Sequence, residues 1–521
     1  MNRRKFLRHA SHSLAIPGLV SSFGFSMPGQ RTMESFLRLA SESNRVLVMI
    51  YLQGGNDGLN TVVPMDQLSA LNLVRPHVIL PEEKILNLEG TDVGLHPELS
   101  GFKSLFEEQR LGIIQYAGYP NQNYSHFRST DIWMSGSDAN ELVNSGWPGR
   151  VLSQEFPTYP DEFPNNDMPD PLSIEIGHGG SLLFQGPTAS MSMVINDVSS
   201  FYDLVDNIEE EAPNTDAGDK LKFVRLIARQ SQQYGEVVKA AADKITNHAL
   251  YPEGNELGDQ LKIVSKLIAG GLQTPIYMVR IGGFDTHDAQ VVDGDHTKGE
   301  HAELLKQVND AVMAFMQDLE LQGTDDRVMG MTFSEFGRRI VSNASLGTDH
   351  GAAAPMFVFG NEVTGGILGN NPTIDQNTTY EHNLDMQFDF RQINASILEQ
   401  WFGIDAGDTS SALLGEFDTL PIIGKPEPVV SGLNAGNGDS PATIYPNPLN
   451  GSTKIDFISD GKPMEISLMD MQGRKLEQIH SGKTNSGKQS ISWNSSYLRP
   501  GRYLVSFRNE NVQYSKSVVK Y

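Results

Sequence analysis

Five short runs constrain the fold of this chain most. Arg45 to Leu52 (RVLVMIYL), Leu111 to Gly118 (LGIIQYAG), Pro275 to Gly283 (PIYMVRIGG), Val328 to Phe333 (VMGMTF) and Pro355 to Gly360 (PMFVFG) are apolar at nearly every position. A strand with one wet face alternates apolar and polar residues. A run without alternation is covered on both faces, as the central strands of a parallel sheet are. Helical patterns lie between the runs, at Asp219 to Asn247, at Glu300 to Gln322 with Gly323 as a C-cap, and at Phe390 to Phe402. Strands alternating with helices predict a doubly wound, mostly parallel α/β sheet with helices on both faces. Pro-rich Phe156 to Leu172 reads as a long surface loop.

The pattern changes near residue 425. Lys425 to Ala442 is rich in Pro, Gly and Ser and reads as a linker. After it the helical periodicity stops, and KIDFIS, MEISLMD, QSISWN, GRYLVSFRN and QYSKSVVKY alternate at nearly regular spacing. That predicts a small all-β sandwich. The expected organisation is therefore an export signal over 1–29, an α/β domain over 30–425, a linker over 426–442 and a β-sandwich over 443–521.

The N-terminus carries Arg3-Arg4-Lys5, then Phe6-Leu7, then a Ser/Gly-rich, mildly apolar stretch from Leu14 to Phe25. This looks like a twin-arginine export signal. No other apolar run reaches the ~20 residues of a membrane span. A net charge of −24 argues against nucleic acid as a partner. With no cysteine, disulfides, iron–sulfur clusters, thiolate zinc and cysteine nucleophiles are excluded.

In open parallel sheets ligands bind beyond the carboxyl ends of the strands, so the residues after each run matter most. Asp57 follows the first run. Ser125, His126, Arg128 and Thr130 follow the second, Asp285 and His287 follow Pro275 to Gly283, and Glu335, Arg338, Asp349 and His350 follow Val328 to Phe333. Asp and His donor sets suit zinc or manganese, and metal ions stabilise phosphoryl or sulfuryl transfer. A hydroxyl beside them, from Ser125 or Thr130, is a candidate nucleophile. Arg128 or Arg338 is placed to hold the anion. Each residue also has a structural reading. Asp57 suits a tight turn, Asp285 a helix cap, Asp349 a turn, and Glu335 with Arg338 a local ion pair. His96, His178, His296 and His301 read as surface or capping residues.

Taken in order, GGNDGLN, YPNQNYSHFRSTDIW, GGFDTH, SEFGRR and GTDHG resemble the bacterial family called domain of unknown function 1501, over roughly residues 1 to 420. The resemblance implies an alkaline phosphatase- and sulfatase-like fold and twin-arginine export. It implies that Asp57 is the first-strand metal aspartate, that Asp285 and His287 share a metal, and that Asp349 and His350 are the adjacent ligand pair. The nucleophile would fall in the second motif, with Ser125 ahead of Thr130. His382 is the only histidine between His350 and the linker, which points to one metal or a decayed site rather than two metals. The stretch from Thr443 to Tyr521 resembles the type A sorting domain of the type IX secretion system, which implies that machinery as a partner and a place at the cell surface or outside the cell. The leading expectation is a metal-dependent hydrolase of phosphate or sulfate esters, acting on a small anionic ester or a glycan-linked substrate. The alternative is a non-catalytic, surface-displayed binding or assembly protein.

Overall fold

The computed structural model describes residues 44–166, 168–177, 179–195, 216–424, 442–445, 449, 451–469, 474–499, 501–509 and 513–520. The proposed export signal, nearly all of the linker and His178 lie outside these residues. The chain forms two compact units, residues 1–424 and 425–521.

The first unit is built on one sheet. Its strands are β1 (Val46–Leu52), β2 (Leu111–Gly118), β3 (Ser173–Ile176), β4 (Met193–Ile195), β5 (Ile276–Ile281), β6 (Val328–Phe333), β9 (Ala354–Gly360), β10 (Gly366–Leu368) and β11 (Phe388–Asp389). A separate antiparallel ribbon joins β7 (Arg338–Ser342) to β8 (Thr348–His350). The order across the sheet is β10-β2-β9-β6-β1-β5-β3-β4, and β11 pairs with β2. β1 lies at the centre, parallel to β5 on one side and β6 on the other.

Side chains alternate across a strand, and β1 uses both faces. Val46, Val48, Ile50 and Leu52 enter one core, while Leu47, Met49 and Tyr51 enter the other. Helices α1 (Ser100–Glu107), α4 (Asp216–Asp243), α5 (Glu256–Ala269) and α6 (Glu300–Gln322) contribute to the first core. Helices α2 (His126–Ser135), α3 (Trp147–Glu155) and α7 (Phe390–Ser396) contribute to the second. Helix α6 ends at Gly323 in the left-handed conformation, as its sequence predicts. The helix expected to run from Phe390 to Phe402 instead changes at Ile397 into a π-turn that ends at Trp401.

One strand runs against expectation. β9 is antiparallel to both β2 and β6. The β7–β8 ribbon leaves the chain at the carboxyl edge of the sheet, with only Gly351 to Ala353 before β9 begins. Re-entry as a parallel strand would need a crossover of about a dozen residues or more. An apolar run reports burial on both faces, not direction.

Away from that edge, Glu155 ends α3 beside an apolar pocket lined by Val151, Leu152, Met168, Ile276, Leu398 and Phe402. Its Oε2 has no hydrogen-bond partner. Burial, aided by nearby Asp408, pushes this carboxyl from 4.5 up to about 8. Between those values the folded state holds a proton that the unfolded chain has released, so stability falls as pH rises through the window. Glu155→Gln is therefore expected to melt with wild type at pH 5 and above it at pH 9. Parallel melting curves at both pH values would refute the assignment.

The second unit is an antiparallel sandwich. One sheet joins β12 (Ala442–Tyr445), β13 (Ser452–Asp460) and β16 (Ser486–Asn494); the other joins β14 (Pro463–Met469), β15 (Lys475–Lys483), β17 (Gly501–Arg508) and β18 (Gln513–Lys520). Ile455, Phe457, Ile466, Leu468, Trp493, Val505, Phe507 and Val518 fill the space between them. Among the described residues, no helix is long and apolar enough to cross a membrane.

Candidate metal centre

Loops after β1, β2, β5 and β6 meet at the carboxyl edge of the sheet. The loop after β2 ends at Ser125, the N-cap of α2, so His126 opens that helix. The loop after β5 carries Asp285 and His287. The loop after β6 carries Glu335 and leads through the β7–β8 ribbon to His350.

Three imidazoles converge on one carboxylate. Asp285 Oδ1 lies 3.1 Å from His350 Nε2 and 3.2 Å from His287 Nε2. Asp285 Oδ2 lies 3.3 Å from His126 Nε2. His126, Asp285 and His350 bring their ligand atoms within 4.8 Å of one another. His287 Nε2 adds a further donor 2.9 Å from His350 Nε2.

Each ring is held from behind through Nδ1. His126 Nδ1 is 2.8 Å from Glu335 Oε1, His287 Nδ1 is 2.7 Å from Asp349 Oδ1, and His350 Nδ1 is 2.7 Å from the Tyr124 carbonyl oxygen. Carboxylates and carbonyls accept only, so each Nδ1 carries hydrogen. In the neutral rings the Nε2 lone pairs therefore face Asp285 and one another. Two such lone pairs 2.9 Å apart repel unless a proton or cation lies between them. His126 Nε2 is buried and makes no hydrogen bond. This donor set, with every ring oriented by an acceptor behind it, has the chemistry of a divalent-cation site.

The surrounding charges are arranged around Asp285. Arg338 is buried, and its guanidinium donates to Asp285 Oδ1 at 2.7 Å, to the Gly55 carbonyl at 2.7 Å, to the Thr348 carbonyl at 2.8 Å and to the Phe284 carbonyl at 2.9 Å. Burial alone would raise the Asp285 carboxyl, but its bonds to Arg338 and His350 outweigh this and hold it at about 2. The bond to Glu335 raises the His126 pKa, whereas burial, the largest influence on His350, lowers that ring. Glu335 is fully buried and also accepts from the Gly54 N–H at 3.0 Å. Gly54 has φ +126°, and a Cβ there would sit 2.3 Å from the Asp285 backbone nitrogen, so the close approach of these loops requires glycine.

The remaining expected residues lie elsewhere. Asp57 is buried and paired with Arg75, and it accepts from Gln290 Nε2 at 2.5 Å. Burial would raise its carboxyl, but Arg75 and the nearby His301 hold it below the ordinary value. Asp349 stands behind His287 rather than among the converging atoms. Arg128 is spent on the carbonyls of Asp138, Ala139 and Glu141. Thr130 Oγ1 is 2.8 Å from Tyr51 Oη. Ser125 is exposed beside His126 and its hydroxyl makes no capping bond. Glu335 and Arg338, open to reading as a pair, go to different partners, His126 and Asp285.

Two further readings are corrected. His96 and His301, expected at the surface or in caps, are buried, because α6 packs His301 against Asn56 and Thr61. Burial lowers them to about 3 and about 4 respectively. His126 and Glu335 enter the centre although neither had been assigned to it. Both stand directly after an apolar run, the signal that found Asp285. On a strand, Ser125 and His126 would face opposite ways, but here a helix begins, and its first residue turns inward.

The fold and centre define an α/β protein with a His/Asp cluster at its strand ends. Residues 226–417 match the family described as "Protein of unknown function (DUF1501)", a span that holds the GGFDTH, SEFGRR and GTDHG motifs. Residues 443–521 match the secretion system C-terminal sorting domain, which places the protein at the cell surface or outside the cell through type IX export. No curated protein matches the chain. Among solved structures it is similar to a protein in the alkaline phosphatase superfamily from Vibrio parahaemolyticus, with 9% identity, 90% of this chain and 92% of that one covered, and a TM-score of 0.34. It is also similar to a sulfatase from Pseudoalteromonas sp., with 10% identity, 90% and 88% covered, and a TM-score of 0.33. A phosphonate monoester hydrolase from Silicibacter pomeroyi gives 8% identity, 91% and 89% covered, and a TM-score of 0.31. Likeness at this level does not bear on the chemistry.

Proposed function

We propose that this protein is a metal-dependent hydrolase of phosphate or sulfate esters that acts outside the cell. The observation that carries the reading is the convergence of the His126, His287 and His350 Nε2 atoms on the Asp285 carboxylate, each ring fixed from behind. When bound, a divalent cation there supplies Lewis-acid polarisation of an ester oxygen and charge stabilisation.

The chain's own residues do the rest. Glu335, Asp349 and the Tyr124 carbonyl hold the three rings in the tautomer that presents Nε2. Arg338 holds Asp285 ionised and fixes the loops after β1 and β5 through their carbonyls. Ser125, next to His126 and open to solvent, is the nucleophile this reading favours. Thr130 is already bonded to Tyr51.

A screen of p-nitrophenyl phosphate and sulfate with the metal-loaded full chain tests this. Ser125→Ala is expected to lower turnover by about 10³-fold or more, as loss of a nucleophile does. Thr130→Val is expected to lower it by less than about tenfold. Equal activity in Ser125→Ala and wild type would remove Ser125 from the role.

The second reading, a non-catalytic surface protein, has its own support. Asp57 and Asp285 are each already paired with a buried arginine, Arg75 and Arg338. Under that reading the full chain binds no metal and turns over neither ester.

A further inference from the structure

Among the described residues of the first unit, the exposed large aromatics are Tyr124, Phe127 and Tyr380; the first two lie within two residues of His126, and Tyr380 is joined to Tyr124 through Arg339. Tyr124 accepts from His350 through its carbonyl oxygen. Phe127 follows His126 on α2 and is 88% exposed, so nothing in the described fold accounts for an aromatic there. Tyr380 comes from the long loop between β10 and β11 and is tied in by Arg339. That guanidinium lies 4.3 Å from the Tyr380 ring centre and 5.5 Å from that of Tyr124, and it bonds to the Tyr380 carbonyl. Asn383 Nδ2 donates to Tyr124 Oη at 3.1 Å, joining the same two loops again.

We propose that this rim is a saccharide-binding surface. Exposed apolar area that the fold does not need marks an interaction site, and aromatic rings there offer large contact area at low entropic cost. The polar character around them selects the partner. The segments 119–127 and 370–387 contain no Lys or Arg, but are rich in Asn and Gln. Arg339 is already engaged by the Tyr380 carbonyl and the two tyrosine rings, and the second segment adds Asp375, Glu381 and Asp385, so such a rim has little to hold a polyanion. Aromatic faces edged by carboxamides suit a neutral, polyhydroxylated ring, whose C–H face stacks while its hydroxyls bond at the sides. Arg339 and Asn383 hold the platform together before any ligand arrives, which lowers the ordering cost of binding. The surface stands on its own residues. Only the corollary that a sugar is the alcohol part of the ester rests on the hydrolase reading.

The test uses the full chain and isothermal titration with neutral gluco-, manno-, galacto- and xylo-hexaoses. At least one is expected to bind wild type and to bind Phe127→Ala and Tyr380→Ala tenfold or more weakly. Asp285→Ala is expected to bind it as wild type does, whatever its metal content. The highly exposed Phe127 can be removed without disturbing the fold. No binding of any hexaose to wild type, or binding unchanged in both aromatic variants, would overturn the proposal. Binding lost only in Asp285→Ala would also overturn it, because the sugar would then sit on the centre alone. Metal absent from wild type with sugar binding intact would reject the centre and leave the surface standing.

Discussion

Full-length protein loaded with zinc or manganese and then dialysed is expected to keep about one equivalent of metal per chain, the occupancy of a single four-donor centre. Asp285→Ala is expected to keep none. Asp285 is the carboxylate that all three Nε2 atoms face, and it is the only donor whose two oxygens reach both sides of the cluster. The residues behind the rings should matter less. Glu335→Gln and Asp349→Asn are each expected to weaken binding by about 10- to 100-fold, the usual cost of losing a group that orients a ligand. Binding should also weaken as pH falls, because the metal competes with protons for Nε2. Glu335 raises the His126 pKa, so this competition begins at a higher pH than for an ordinary imidazole. Metal analysis by mass spectrometry across pH 5 to 8 reads all of these. Equal metal in wild type and Asp285→Ala would place any bound ion elsewhere and make the non-catalytic reading the better account.

Arg75→Met is expected to be the most destabilising single change considered. Asp57 and Arg75 are 1% and 0% exposed, and each is the other's charge partner. Removing one partner of a buried ion pair costs about 3–5 kcal/mol, because the remaining charge stays out of water. Asn60 and the Ile340 carbonyl would also lose the hydrogen bonds that Arg75 supplies. Adding Asp57→Asn to Arg75→Met is expected to recover a large share of the loss, since no unpaired charge is then buried. Denaturant unfolding of the three proteins measures this. If Arg75→Met unfolds at the wild-type midpoint, the pair does not hold this part of the fold, and Asp57 becomes available again as a metal ligand.

Much of the sheet was legible because its signal is local. Leu111 to Gly118 and Val328 to Phe333 coincide with β2 and β6, since a strand covered on both faces must be apolar along its own length. The short strands β3 and β4 were not read, because runs of three or four residues carry too little pattern. Lys475–Lys483 was missed in the sandwich for a related reason. It is half exposed, and its mixed residues show no clean alternation.

Within the centre, the sequence by itself determined which loops would meet there. Asp285 and His287 follow β5 and Glu335 follows β6, strands whose carboxyl ends share one edge, and chain direction alone brings these to it; His350 arrives only through the β7–β8 ribbon. Only the tertiary structure decided which atoms face which. His287 finds Asp349 across 62 positions, and His126 finds Glu335 across 209. Those partnerships depend on where helix α2 begins, on the turn of the β7–β8 ribbon and on the antiparallel return of β9. The same packing drew Asp57 to Arg75 and Arg338 to Asp285. A charged side chain leaving water takes the partner that the fold brings within reach, and residues distant in sequence supply that partner.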